Sequence, residues 1–219
     1  MSFSLFWELL FSIPKTLYFN FRVLSWKKAI KLPILISRQI KIDAVDGMII
    51  LPDHYYPGMI KIGFSGSYNL GGRGYYSNSG TIVFHGKASL SRGLQLCVGR
   101  MGVIEFGIDF KCNSNCIINA GKMIRFGDDC LLSWNISILD GDGHKVIEKK
   151  PNNRNPKDSS IIIGDHVWIC SNALILKGAQ IGDGSIVSAN SVISKNLSEK
   201  NVIIGHVNQV VKHDIEWII

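Results

Sequence analysis

From Ile161 to Leu197 the apolar positions fall on a strict six-residue grid. Ile163, Ile169, Ile175, Ile181, Val187 and Ile193 mark it, and four residues after each stand Val167, Ala173, Ala179, Ser185, Ser191 and Leu197. On an α-helix a step of six turns the side chain by about 600°, so successive members would point in three directions and make no face. On extended chain six is a multiple of two, so every member points the same way. Short strands meeting at corners, three to a turn, stack such residues into one continuous column. The predicted element is a triangular solenoid, with Gly164, Gly178, Gly182 and Gly184 fitting its corners.

The grid runs more loosely upstream. Phe106, Cys112 and Ile118 are spaced by six, then a two-residue insertion leads to Phe126, Leu132 and Ile138, and Phe126-Gly-Asp matches Ile163-Gly-Asp and Ile181-Gly-Asp. From about Ile49 onward glycines recur and β-branched residues dominate short runs such as Thr81, Ile82 and Val83, so the solenoid is expected over 49–212. The stretch 140–160 carries no repeat and holds Pro151 and Pro156; it should leave the coil as a loop, and loops of that length are commonly functional. Residues 213–219 remain as a tail. Ahead of the solenoid, Leu5, Phe6, Leu9, Leu10 and Ile13 recur at helical spacing. After Pro14 follow Leu17, Val23, Leu24 and Ile30, with Lys27, Lys28 and Lys31 among them. Two short amphipathic helices are therefore expected within 1–48, their apolar stripe packed on the protein's own body. Their basic, aromatic character also suits peripheral contact with a membrane surface.

Composition narrows the class. A chain of 219 residues that is 46% hydrophobic and 19% charged can bury one substantial core and is neither a coiled coil nor an acidic tail. The formal net charge of +7 favours an anionic partner without choosing one. Five cysteines, an odd number, argue against a disulfide framework and for a reducing compartment. The apolar N-terminus lacks a basic leading region, is interrupted by Glu8 and ends at Pro14 and Lys15, short of the ~20 apolar residues of a span. A soluble, cytoplasmic protein is the expectation.

In the segment ILDGDGHKV, His144 opens the loop and Asp142 stands two residues before it. Alternate residues of extended chain share a side, so the carboxylate can hold the imidazole in one tautomer; Asp140 is an equal rival for that place. An imidazole with an ordinary pKa near 6.5 suits removal of a proton from an alcohol. The repeats, with VWICSNALILKGA and SANSVISK, resemble the hexapeptide-repeat acetyltransferases of the galactoside, maltose, capsule and O-antigen type, from roughly Phe106 to Lys212. The helical N-terminal portion is a weaker match to the polysaccharide-modifying branch.

That resemblance implies an all-β solenoid, a left-handed parallel β-helix with a short α-helical N-terminal portion; the handedness rests on the resemblance, since crossovers are ordinarily right-handed. It implies acetyl-CoA as co-substrate, no metal, and direct transfer in a ternary complex to a sugar hydroxyl of a bacterial cell-surface glycan, with His144 as general base and Asp142 as its partner. It implies a homotrimer with sites between subunits, Asn113 of one copy facing His144 of another. Coenzyme contacts are expected from Asn113 on the acetyl-CoA side of the site, Ser171 and Ala189 to the pantetheine, Trp168 near the thioester, Ser194 and Lys195 at the adenosine phosphates, and Lys212 near the C-terminus.

Two departures stand out. The family's Gly-x-Pro-Ala after the last coil is Gly205-His206-Val207-Asn208 here, and its glycine after Trp-Ile is Cys170, which admits a route through an acetylated thiolate. Lys145, Lys149, Lys150, Arg154 and Lys157 in the loop suit a CoA phosphate, an anionic glycan or plain solvation equally. N-acetylation of an amino sugar and a non-catalytic scaffold are the alternatives. A zinc enzyme on the same solenoid, of the γ-carbonic-anhydrase type, needs three converging imidazoles, and His85, His166 and His206 are scattered. Cys112 and Cys116 have no second pair at ligand spacing, and nucleic-acid binding has only net charge behind it.

Overall fold

The computed structural model describes residues 3–64, 72–144 and 159–218. Its first turn consists of β1 (Ile34–Ile36), β2 (Ile40–Val45) and β3 (Met48–Ile50). Each founds one parallel sheet, here A, B and C, and every later turn adds a strand to each. Sheets B and C hold seven strands among the described residues, which makes seven complete turns. Sheet A continues through Ile203–Gly205 and ends on the antiparallel strand Gln209–Lys212.

The six-residue grid is the core of this prism. Ile163 lies opposite Ile181, Ile169 opposite Val187, and Ile175 opposite Ile193, so one turn is made of three steps of the grid and each sheet receives every third member. All six are buried. Upstream turns are longer, with Ile34 facing Ile60, Ile60 facing Ala88, and Ala88 facing Phe110. The inward faces still stack. Phe84, Phe106 and Phe126 form a ladder with ring centroids 5.1 and 5.5 Å apart, and Phe110 leans on the last two. The solenoid therefore starts at Ile34, inside the 1–48 stretch expected to be helical. Ile34, Ile36 and Ile40 alternate inward there, but the long turn that carries Ile34 round to Ile60 has no six-residue period to reveal them.

The corners correct one expectation about glycine. Between sheets C and A the left-handed backbone is held by Asp109, Asp129, His166, Gly184 and Asn201, and between A and B by Gly93, Asn115, Asn135, Asn172 and Asn190. Short polar side chains tolerate that region, and here Asn115, Asn135 and Asn172 also bond one another at 3.2 Å up the corner. Gly164 and Gly182 serve close stacking instead. A Cβ on Gly182 would collide with the Glu199 carbonyl oxygen, and one on Gly164 would lie 2.8 Å from the Asp183 nitrogen.

The N-terminal helix α1 spans Phe3–Val23, followed by α2 (Trp26–Ala29). The break expected at Pro14 does not occur. Leu10 and Pro14 lie on the exposed side, where water can satisfy the carbonyl that the proline leaves without a partner. Nor does α1 bury its apolar stripe: Phe6, Leu10, Ile13 and Leu17 are exposed, whereas Glu8, Ser12, Thr16 and Asn20 are buried. The edge of sheet A at β1 explains the inversion. Asn20 accepts the Ile34 N–H (3.3 Å) and donates to the Ile34 carbonyl (2.6 Å); Thr16 does the same at Ile36 (3.2 and 3.3 Å); Ser12 accepts the Arg38 N–H (3.0 Å). Four helical residues rise about 6.0 Å and two strand residues about 6.6 Å, so a polar residue every fourth position keeps step with alternate groups of the strand. Glu8 completes the row, accepting from Ser37 (3.2 Å) and pairing with Arg92 at 3.0 Å. An apolar face would have left this strand edge unsatisfied.

The C-terminal segment folds back rather than trailing as a tail. Ile215 N–H donates to the Asn201 carbonyl (2.9 Å), and Trp217 is buried against His166, rings 4.0 Å apart and nearly parallel. The Trp217 indole N–H donates to the His166 carbonyl (2.9 Å), while His166 meets the Trp217 carbonyl through Nε2 (2.9 Å) and Asp129 through Nδ1 (2.8 Å). The Trp217 carbonyl, then the Asp129 carboxylate, raise the His166 pKa, with Glu216 adding to it. A raised folded-state value means that the contact contributes fully below the ordinary histidine pKa and is lost as pH rises through the folded one. Tryptophan fluorescence should therefore report the segment loosening as pH is raised above the ordinary histidine value. His166→Asn, which keeps the left-handed backbone, should flatten that dependence.

Candidate active site

The loop leaves the prism at the corner between sheets B and C, after the strand Ser137–Leu139 and before Ile161–Ile163. Asp140 is fully buried at its exit. Its carboxylate accepts the N–H groups of Gly121 (2.6 Å) and Lys122 (2.8 Å), and its carbonyl accepts the N–H of Ser159 (2.9 Å), which joins the two ends of the loop. Asp140 is thus a clamp on the loop mouth and not a partner for His144. Leu139 lies opposite Leu176, which brings Lys177 level with that mouth, where it pairs with Asp142. The expected Asp142–His144 contact is therefore not what the structure brings together, because the Lys177 ammonium takes the carboxylate. His144 is exposed and makes no hydrogen bond among the described residues. Lys145, Lys149, Lys150, Arg154 and Lys157 lie outside the described residues.

A cleft of about 370 Å³ opens beside the mouth, lined by Arg100, Asn119, Asp140, Gly141 and Gly143. Guanidinium, amide and backbone groups together suit a hydroxyl-rich ligand. Further along the same corner stand Ser194 and an exposed Lys195. Asn208 accepts the Ser194 N–H (2.6 Å) and donates to its hydroxyl (3.0 Å), so the residue in place of the usual Pro-Ala end ties down the last turn.

Asn113, Ser171 and Ala189 gather on a different corner, between sheets A and B. Asn190 N–H bonds the Ser171 carbonyl and Asn172 N–H the Trp134 carbonyl, which stacks Ala189, Ser171 and Trp134 on successive turns. The short strands of sheet B separate this corner from that of His144, a width of about 10 Å. Their outer face carries half-exposed Leu139, Leu174, Leu176 and Val192. Trp168 lies on sheet A, the face opposite the loop corner, with its indole donating to the Ser133 hydroxyl (3.0 Å) and its ring 5.8 Å from Trp217. Within one chain Trp168 stays away from His144. Lys212 is exposed on the terminal antiparallel strand of sheet A, likewise remote. Burial pushes the Cys170 thiol up, which keeps it protonated at neutral pH. Among the described residues no three His, Cys, Asp or Glu side chains converge as metal ligands.

Sequence reasoning passed over Arg100, Asn119, Trp134 and Lys177. Trp134 follows Leu132 by two, as Ser171 follows Ile169, so the register did contain it. Lys177 meets Asp142 only because the turn closes across the ejected loop.

Comparison with known proteins agrees with this geometry. Residues 160–195 match the family model described as bacterial transferase hexapeptide (six repeats). WbbJ of Escherichia coli K12, provisionally named a lipopolysaccharide biosynthesis O-acetyl transferase, is 30% identical over 146 residues, 63% of this chain and 74% of that protein. Galactoside O-acetyltransferase of the same organism is 32% identical over 102 residues, 47% of this chain and 50% of that protein. The crystal structure of the polysialic-acid-specific acetyltransferase NeuO matches 82% of this chain and 89% of its own with a TM-score of 0.50 and 17% identity, a likeness of fold. The strict coil, the loop ejected at its corner and these matches together place the chain in the hexapeptide-repeat acetyltransferase family, with that family's left-handed β-helix.

Proposed function

We propose that this protein transfers acetyl from acetyl-CoA to a sugar hydroxyl of a bacterial cell-surface glycan, by direct transfer in a ternary complex with His144 as general base. The observation that carries this reading is an exposed imidazole on the residue next to Gly143, which lines a polar cleft, on a coil of the acetyltransferase family. Relatives named as O-acetyltransferases of lipopolysaccharide biosynthesis and of polysialic acid support the acceptor class. Acetyl-CoA supplies the activated acyl group. His144 accepts the proton of the attacking hydroxyl as its oxygen bonds the acyl carbon, and delivers that proton to sulfur as the carbon–sulfur bond breaks. The imidazole ends as it began.

Arg100 and Asn119 hold the acceptor in the cleft, and Asp142 acts as a positioning residue by fixing the loop base through Lys177. Small side chains at Ser171 and Ala189 leave the shelf above Trp134 open, which fits a pantetheine arm; Asn113 lines its side and Lys195 offers charge to a phosphate. Because these groups occupy two corners of one prism, the reading includes a homotrimer in which the Asn113, Ser171 and Trp168 side of one copy completes the His144 corner of the next. The apolar outer face of sheet B supports that association.

The test is thiol release from acetyl-CoA against a panel of cell-surface glycans. Turnover that requires a glycan supports the reading, and no CoA binding by calorimetry removes it. Cys170→Ala should keep the rate within about tenfold of wild type, with no acetylated protein by mass spectrometry, because a protonated thiol is a poor nucleophile. Loss of turnover in that variant would establish the thiolate route instead.

A further inference from the structure

The outward face of α1 has no use in the coil or in the site. Phe6, Leu10, Ile13, Leu17 and Phe21 follow one another at steps of four, three, four and four, which is one continuous helical face, and Trp7, Phe11 and Tyr18 flank it. All are exposed, Phe11 and Tyr18 by more than half, and Trp26 of α2 by 71%. Trp7 stacks on Phe11 at 5.7 Å and Phe21 leans on Trp26 at 4.9 Å, so the aromatics form one patch. This face exists because the opposite one is committed to the edge of β1.

The exposed charge of this stretch of chain has one sign. Ahead of Asp43 the sequence holds a single acid, Glu8, against a series of lysines and arginines running from Lys15 to Lys41, so this stretch carries most of the chain's net charge of +7. Glu8 itself is turned inward onto Arg92 and Ser37. Arg38 lies over the Phe11 ring at 5.3 Å, and Lys27 and Lys31 are on the surface beside Trp26 and Ile30. An apolar, aromatic helix face with these cations beside it, and with the one acid of α1 and α2 turned inward, matches the headgroup boundary of a bilayer bearing anionic lipid. A second copy of the same face would set these cations against each other. Among the described residues no helix is long and apolar enough to cross a membrane, so the helix lies along it.

We infer that α1 and α2 form a docking surface for an anionic lipid bilayer, with the solenoid standing away from it. The loop mouth is on the fifth turn, four strand spacings or about 20 Å above the first turn on which the helix packs, which sets the reach of a glycan held at the same membrane. The docking itself does not depend on the acetyl-transfer reading.

The experiment is flotation of the full chain with vesicles of phosphatidylcholine alone and of phosphatidylcholine with phosphatidylglycerol in about equal parts. Binding to the mixed vesicles, weakened by salt and at least about tenfold weaker on the neutral ones, is the expected result. Lys27→Glu, Lys28→Glu and Lys31→Glu together should lower partition by on the order of a hundredfold. Leu10→Ser with Phe11→Ser should do likewise while the protein stays folded at the assay temperature, because both side chains are already about half exposed. Absence of binding by folded wild type, or equal binding by these variants, overturns the inference. So does sedimentation showing that Leu10→Ser with Phe11→Ser splits an oligomer, since the face would then belong to a second copy.

Discussion

His144→Ala lowers the rate of acetyl transfer by about 10²–10⁴-fold, the range that a positioned general base supplies, while calorimetric affinity for CoA is unchanged. The two readouts separate because His144 acts on the proton in this reading, whereas the coenzyme is held by other residues, Asn113, Ser171 and Ala189 among them. His144→Gln, which keeps a hydrogen-bonding side chain but cannot take the proton, should be equally slow. The loss should fall on kcat rather than on KM for the glycan, since the cleft of Arg100 and Asn119 is untouched. Asp142→Asn should cost less, acting through Lys177 and the loop base rather than on the proton itself. Retained transfer in His144→Ala would place the base elsewhere and remove the proposed chemistry.

Asn20→Leu destabilises the protein by about 2–6 kcal/mol in urea unfolding, although leucine has the same branched heavy-atom skeleton and a higher helix propensity. Asn20 is fully buried and bonds both the N–H and the carbonyl of Ile34. Without it two buried backbone groups lose their partners, at about 1–3 kcal/mol each. Thr16→Val tests the next rung at Ile36 with almost no change of shape. Phe6→Ser, on the exposed face, should change stability by no more than about 0.5 kcal/mol. If Phe6→Ser proved the more damaging change, α1 would be held by its apolar side and the account of the strand edge would fail.

The two ends of the chain show how far a pattern can be read. In the turns from Ile163 to Ile193 the corners have no spare residues, so the inward positions recur every six and the prism is visible as arithmetic. In the turns from Ile34 to Phe110 the same inward stacking is kept, but corners of varying length shift the count, and β1 is hidden in a stretch that reads as helical. The helix itself was legible; its orientation was not. Apolar spacing ordinarily marks the buried face, and here Glu8, Ser12, Thr16 and Asn20 take that face because a strand edge needs hydrogen bonds more than apolar cover. At the site, His144 could be found from its place at the start of the loop. The partnership of Asp142 with Lys177 and the use of Asp140 as a clamp could not, since both depend on which residues the next turn sets beside the mouth.

The three-sided coil follows from the sequence alone, because only extended chain with regular corners can use a six-residue period, and so does the position of His144, the proposed base, at the start of the long interruption of that period. Tertiary structure alone decided which face of α1 is covered, which carboxylate holds the loop, and that Asn113, Trp168 and His144 stand on different sides of one prism. Those outcomes are set by neighbours a whole turn away along the chain, and local pattern carries no record of them.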